Sequence, residues 1–581
     1  MTSADWWPMI TCGLKLTQSG GVALLDDDEL LFNVEVQKVD NNPRYSYVTD
    51  LEFVPRTLAR FGFSADDVDH WVVDGWDGAR TGTVSVRTGG APLNITVAPY
   101  RETIEGSDLV QPLRTGQLPI DGRPRSFSSY VHTASHFAAA YCTSPFAARG
   151  EEAIVMVWDG GCFPRLYHVD PERGVTNGGE AFPLIGHTYA MGAQHFGPWR
   201  RPTAELSTQV DDFSVAGKLM AYIALGTPRD EIQQVMRDAF ERHFEAPTPE
   251  VADYRRRVIG CGSTGEPSHR YVHAFLTEVR GRVEALGAGD DDVLASMHEF
   301  LERMLVERVT AKIHAWKGDG PHNLCFAGGC ALNIKWNSAL RAHPLFADVW
   351  VPPFPDDSGS AIGTACAHLA GLKGPRPVGW EVRLGPELVR SPHVPAGWTA
   401  RPCRPEELAR IMHLTGKPAV FLRDRAELGP RALGVRSILA PATDPGMKDL
   451  LNTVKDREYY RPVAPICLQE RAPEIFDPGT PDPYMLFEHV VRPDWLDRVP
   501  AIVHLDGTAR LQTVSAADDP VLAQLLREYA KWSGIPVLCN TSANRRGRGF
   551  FPDVASALDW GRIDLVWADG VLYQPSPGKH E

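Results

Sequence analysis

Short apolar runs that alternate with helical stretches, and glycine turns where those runs stop, predict an α/β protein of two domains. The clearest instances are Ile154-Val-Met-Val-Trp-Asp159-Gly-Gly161 and Phe326-Ala-Gly-Gly329-Cys-Ala-Leu-Asn333. Each is a buried-strand pattern that ends at glycine before a helical one. A third observation divides the chain. Seven prolines and five glycines fall between residues 371 and 405, with no helical or strand period, which marks a linker. The expected organisation is a domain over 1–380, a linker over 381–400 and a second α/β domain over 401–581.

The elements follow in order. Ile10 to Leu16, a turn through Thr17-Gln18-Ser19-Gly20-Gly21, Val22 to Leu25 and Glu29 to Val36 read as an antiparallel meander. A helix is expected around Tyr130 to Tyr141, a strand from Ala153 to Trp158 and a long helix from Val293 to Trp316. A strand near Asn323 to Phe326, a helix from Leu332, a strand ending at Val351 and a helix over Asp357 to Leu372 come next. The acidic stretch 284–293 reads as a solvated loop. In the second domain Ala419–Leu422, Val463–Leu468, Ile502–Leu505 and Ile535–Leu538 are the candidate core strands.

Composition narrows the function. The 581 residues carry 59 basic and 73 acidic side chains, a formal charge of −14. That balance argues against a nucleic-acid partner held on a broad basic surface, while leaving room for a local cationic pocket. No apolar run reaches the length of a membrane span, and the N-terminus lacks the pattern of a secretory signal, so a cytoplasmic protein is expected. The ten cysteines include no CxxC and read as buried, reduced residues.

Two clusters carry chemistry. In His132-Thr-Ala-Ser-His136 the imidazoles sit at i and i+4 on a helix face, where they either converge on one metal ion or stand unrelated. No glutamate follows His132, so the HExxH protease pattern is absent. Asp159 at a strand end and Asp357 in a strand-to-helix turn are the carboxylates that would complete a site for iron, manganese or zinc. The Gly328-Gly329 turn before Asn333 either cradles a phosphate or serves close packing. In the second domain, Arg423 to Arg461 holds eight basic residues around Gly429-Pro-Arg431-Ala-Leu-Gly-Val-Arg436-Ser437, with Lys455 and Arg461 following. Asp506-Gly-Thr-Ala-Arg510 and Cys539-Asn540-Thr-Ser542 add polar groups. Such a pocket suits a nucleotide or an acyl phosphate.

Taken together and in order, HTASH, VWDGG, FAGGCALN, DDSGSAIG, AELGPRALGVRSILA, LNTVKDREYYRPVAP, DGTARLQTV and VLCNTSAN resemble the carbamoyltransferase family. That family includes the nodulation-factor, aminoglycoside, ansamycin and cephem O-carbamoyltransferases. The resemblance implies an N-terminal actin-like domain similar to tRNA threonylcarbamoyl transferase and a C-terminal YrdC-like domain. It implies formation of carbamoyl-adenylate from carbamoyl phosphate and ATP (with Mg2+) in the C-terminal domain. Transfer to a small-molecule hydroxyl would follow at a metal site, with Fe2+ expected and Mn2+ or Zn2+ as alternatives. By motif position the metal ligands would be His132, His136, Asp159 and Asp357. The catalytic residues would be His132, His136, Asp159, Lys455 and Arg461. Arg431, Arg436, Lys455, Arg461, Arg510, Asn540 and Ser542 would hold the donors, and Gly328, Gly329, Asn333 and Lys218 would line the N-terminal cleft.

A tRNA-carbamoylating enzyme and a non-catalytic nucleotide-binding protein are the alternatives, and a homodimer is left open. The first turn departs from the family: where relatives carry a His-Asp pair, this chain has Gln18-Ser19. Another group or the metal would then have to activate the acceptor. The segment Glu35 to Tyr45 by itself suggests the cephem-type branch.

Overall fold

Strand Ile10–Lys15 is the centre of a six-stranded sheet in the computed structural model, which describes residues 9–78, 81–102, 109–207, 213–261, 266–390 and 393–576. Gly21–Asp26 pairs with it antiparallel, and Glu29–Glu35 lies beyond after a two-residue turn. On its other side His70–Asp74 runs parallel, followed by Arg123–Tyr130, also parallel, with Arg114–Ile120 antiparallel at the edge.

A five-stranded sheet repeats this plan. Arg165–Asp170 pairs antiparallel with the central Ala153–Val157, and Gly174–Glu180 lies beyond it. His322–Ala327 and Phe346–Trp350 are added in parallel on the other side. In each half a helix follows the last parallel strand: His132–Cys142 in the first, Ser360–Lys373 in the second. These two helices pack closely because their contact faces are small. A Cβ on Gly363 would stand 1.8 Å from the Ser135 carbonyl oxygen; helix Ser360–Lys373 also closes on the central strand, where a Cβ on Gly13 would stand 2.1 Å from the Ala361 carbonyl oxygen. Functional groups at the carboxyl ends of the central strands and at the starts of these helices are thereby brought to one place.

Among the described residues, six α-helices lie in the chain between Gly174–Glu180 and His322–Ala327, from His187–His195 to Asp290–Lys317. The acidic stretch expected as a loop is only partly one. Asp290, Asp291 and Asp292 form the first turn of the long helix, where carboxylates complement the positive end of the helix dipole.

Residues Met1–Asn33 and Tyr47–Trp380 form one unit, Val34–Ser46 and Glu381–Glu581 the other. The segment 34–46, which the sequence reading assigns to the first domain, therefore belongs to the second unit. That unit is built on an eight-stranded mixed sheet with Leu565–Ala568, Ala419–Leu422, Arg436–Pro441 and Val537–Ser542 at its middle and Ala464–Leu468 next. Val420 and Leu422 pack into one buried cluster and Ala419 and Phe421 into another, the period of two expected of a strand covered on both faces. The expected strand Ile502–Leu505 does not form. Pro500 opens a single 3-10 turn there, and the neighbouring place in the sheet goes to Gln512–Val514, parallel to Ala464–Leu468. The proline-rich stretch after Glu381 packs within the second unit: Gly385 N–H donates to the Ala426 carbonyl and Leu388 N–H to that of Asp424.

Candidate functional site

Helix His132–Cys142 is buried along its whole length, so His132 and His136 point together into the interior, their Nε2 atoms 3.2 Å apart. Asp159 follows strand Ala153–Val157, and Asp357 opens the 3-10 turn before helix Ser360–Lys373. Asp159 Oδ2 lies 3.8 Å from each Nε2, and Asp357 Oδ1 lies 3.3 Å from that of His132 and 3.5 Å from that of His136. The four ligand atoms fall within 4.8 Å of one another on four buried residues. Ligands about 2.1 Å from a shared cation sit about 3.0–3.4 Å apart when adjacent and farther when opposed. Two imidazoles and two carboxylates at these separations fit a divalent transition metal with coordination positions left over.

The groups around the ligands fix their orientation. Asp74 Oδ2 lies 2.7 Å from His132 Nδ1. An ionised carboxylate only accepts, so Nδ1 carries the hydrogen and Nε2 faces the centre. Asp159 accepts the Gly329 N–H on Oδ1 at 2.7 Å and the Tyr100 hydroxyl on Oδ2. The Lys15 ammonium donates to Asp74 Oδ2 at 2.8 Å, lies 3.2 Å from Asp357 Oδ2 and sits 4.3 Å from the centre of the Trp76 ring. Burial opposes ionisation of Asp357, yet Lys15 and His132 outweigh it and hold the carboxyl well below the usual range. Burial likewise opposes Asp159, where His136 and His132 prevail. Burial and Lys15 disfavour a charged His132, but Asp74 and Asp357 raise it well above the ordinary histidine value. The pocket is thus built to hold positive charge at Nε2.

The Gly328-Gly329 turn has a specific duty here. Gly328 adopts φ 94°, and a Cβ on it would stand 2.3 Å from the Trp158 carbonyl oxygen. Its N–H groups are engaged within the protein: Gly328 with the Pro355 carbonyl, Gly329 with Asp159. Asn333 caps helix Ile334–Ala342 by accepting from Lys335 and Trp336. Lys218 lies half-buried on helix Val215–Tyr222.

In the second unit a cationic cluster surrounds the loop Glu427–Arg436. Glu427 is buried, and its Oε1 accepts the N–H groups of Leu433, Val435 and Arg436 at 2.8, 2.7 and 3.0 Å. From the segment 34–46, Lys38 donates to the carbonyls of Glu427 and Gly429, while Glu35 accepts the Gly429 N–H. The loop is clamped from both sides. Burial disfavours the charge of Arg457, and Arg461, Arg44 and Arg510 disfavour it further, down to about 9. Arg510 is lowered well below its usual value by burial, then Arg431 and Arg461; Lys455 by burial, then Arg457 and Arg44. Six cations that repel one another at a half-buried site form a place for a polyanion.

The expected donor-binding residues divide into two groups. Arg431, Lys455, Arg461 and Arg510 belong to this cluster. Lys455 Nζ donates to the carbonyls of Ser542 and Asn544, which also ties Ser542 to it. Asn540 is buried and donates to the Ala432 carbonyl and to Gln512, and its Oδ1 has no hydrogen-bond partner among the described residues. Arg436 lies apart: 1% exposed, it donates to the carbonyls of Arg423, Asp424 and Val435, and so braces the loop. The sequence reading passed over Asp74, Tyr100, Trp76 and the role of Lys15 in the first site, and Glu35, Lys38, Arg44 and the role of Arg457 in the second. Arg457 lay within the basic block, and Glu35, Lys38 and Arg44 lay in a segment read for kinship only, with no role in a site.

Residues 10–366 match the family domain described as carbamoyltransferase N-terminus and residues 412–574 that described as carbamoyltransferase C-terminus. The chain belongs to the carbamoyltransferase family and is a carbamoyltransferase. It is 50% identical to "Nodulation protein U" of Rhizobium tropici over 97% of this chain and 96% of that one. It is 48% identical to "Nodulation protein U" of Sinorhizobium fredii over 97% and 99%. With the "3'-hydroxymethylcephem-O-carbamoyltransferase" of Streptomyces clavuligerus it shares 32% identity over 97% and 98%. Whole-chain identity to the nodulation proteins, 50% and 48%, exceeds that to the cephem enzyme, 32%, which overturns the cephem-type kinship expected from the segment Glu35 to Tyr45.

Proposed function

We propose an ATP-dependent O-carbamoyltransferase in which the second unit activates the carbamoyl group and the first unit transfers it to a hydroxyl of a small molecule. The observation that carries this reading is the convergence of His132, His136, Asp159 and Asp357 within 4.8 Å. The repeated strand order of the first unit supports its reading as an actin-like domain, and the second is read as YrdC-like from its motifs.

Carbamate is a poor electrophile, so activation precedes transfer. Carbamoyl phosphate and water give carbamate and phosphate; a carbamate oxygen attacks the α-phosphorus of ATP, and pyrophosphate leaves. The cations of the second unit neutralise both donors, and positive charge fixed before reaction is the largest electrostatic aid to phosphoryl transfer. A polyanion also relieves the repulsion among Arg44, Arg431, Lys455, Arg457, Arg461 and Arg510.

In the first unit the acceptor oxygen attacks the carbamoyl carbon and AMP departs, with the hydroxyl proton released. A divalent metal held by the four ligands would supply Lewis acidity toward a carbonyl or hydroxyl oxygen. Asp74 and Tyr100 hold His132 and Asp159 in register. The test is mass spectrometry of the purified protein with ATP, carbamoyl phosphate and ferrous iron, without acceptor. Carbamoyl-adenylate, or pyrophosphate whose release needs carbamoyl phosphate, is the expected product. Neither product from a folded, metal-loaded sample would refute the activation half.

A further inference from the structure

Lys15 is a lysine where a lysine is costly. It ends the central strand Ile10–Lys15 and is 1% exposed, and an ammonium is retained at such depth only when it is paired. Its neighbours are Asp74 Oδ2 at 2.8 Å, Asp357 Oδ2 at 3.2 Å and the face of Trp76 at 4.3 Å. His132 Nδ1 lies 3.3 Å away, but its hydrogen is committed to Asp74 at 2.7 Å. The ammonium therefore bridges two carboxylates, one a ligand in the reading above and the other the group that orients a ligand. It uses the oxygen of Asp357 that faces away from the imidazoles; Oδ1, 3.3 Å from His132 Nε2 and 3.5 Å from His136 Nε2, faces the centre. Asp159 is treated alike, each oxygen held by its own donor, Gly329 N–H on Oδ1 and the Tyr100 hydroxyl on Oδ2.

We propose that Lys15 is a positioning residue of the metal centre: by taking Oδ2 of Asp357 it makes Asp357 a one-oxygen ligand, while the bond between His132 Nδ1 and Asp74 Oδ2 keeps Nε2 inward. This rests on the metal reading given above. A two-oxygen Asp357 would fill a position that an acceptor or a carbamoyl oxygen needs; Lys15 keeps that position open. It also places a fixed positive charge beside the cation, so binding is weaker than three buried carboxylates alone would give.

The test uses the full chain and Co2+, whose visible absorption reports coordination number. In a crystal structure of the Co2+-loaded wild type, Asp357 binds through Oδ1 alone, with Oδ2 on Lys15. Lys15→Met, similar in length and uncharged, still binds Co2+, with a changed absorption spectrum and an affinity about tenfold tighter or more. Loss of structural support alone would weaken binding, which separates the two roles. A two-oxygen Asp357 in the wild type, or a Lys15→Met protein with unchanged spectrum and affinity, overturns the proposal while leaving the metal site standing. A folded wild type that takes up no Co2+ overturns both. If Lys15→Met does not fold, the wild-type structure decides.

Discussion

Glu427 organises the candidate anion loop through one oxygen, so changing the charge of that oxygen tests how the loop is held. In Glu427→Gln the side chain keeps its shape and its acceptor. The three bonds from Leu433, Val435 and Arg436 become bonds to a neutral oxygen. Bonds to a charged partner are worth about 1.5–3 kcal/mol and neutral ones about 0.5–1.5, so each loses about 1 kcal/mol and the loop about 3. The new amide also replaces Oε2, which is buried with no partner among the described residues, and its N–H groups add a further cost of the same sign. Read by hydrogen exchange, a loss of about 3 kcal/mol speeds opening roughly 150-fold, confined to residues 428–436. Donor binding falls with it, because Arg431 is carried on that loop. Exchange at Leu433, Val435 and Arg436 within a factor of about three of the wild type would refute the claim that the carboxylate holds the loop.

The cationic cluster makes a second prediction. Pyrophosphate raises the melting temperature of the wild type by occupying the site, whereas Arg457→Met is more stable than the wild type without anion and loses most of that shift; differential scanning calorimetry reads both. Asp74→Asn frees Nδ1 of His132 from its fixed tautomer, and metal affinity falls about 10- to 100-fold, as read by metal competition. His195 is pushed down to about 3 by burial, then His273, Arg280 and Arg200, and so is neutral in the fold at pH 7. Its folded value lies below that of an unfolded histidine, so its contribution is intact above about pH 6.5 and is lost as the pH falls toward 3, by about 1.4 kcal/mol per unit. His195→Gln flattens that part of the acid unfolding profile.

Local pattern was legible wherever chemistry and element type coincide. His132 and His136 share a helix face through their spacing, and Asp159 and Asp357 stand at a strand end and a strand-to-helix turn, so the four residues that the structure brings together could be singled out from the sequence. Asp74 and Lys15 could not, because each is only the last residue of a strand; what makes them neighbours is the parallel pairing of Ile10–Lys15 with His70–Asp74. The duplicated strand order was invisible for a similar reason, since the two halves share topology without sharing residues. The segment 34–46 follows a meander of the first unit yet packs on residues almost 400 positions away, as Lys38 with Glu427 shows. Arg436, a basic residue in a basic block, donates to backbone carbonyls, and so does Lys455, a use of charge that composition does not reveal.

The account stands or falls on the division of labour between the two clusters. The most direct measurement is mass spectrometry of His136→Ala protein supplied with ATP and carbamoyl phosphate, alongside Lys455→Ala under the same conditions. The account predicts carbamoyl-adenylate from His136→Ala, with metal content and acceptor carbamoylation lost, and no adenylate from Lys455→Ala, with metal content kept. Acceptor carbamoylation by His136→Ala at the wild-type rate, or adenylate formation by Lys455→Ala, would contradict it.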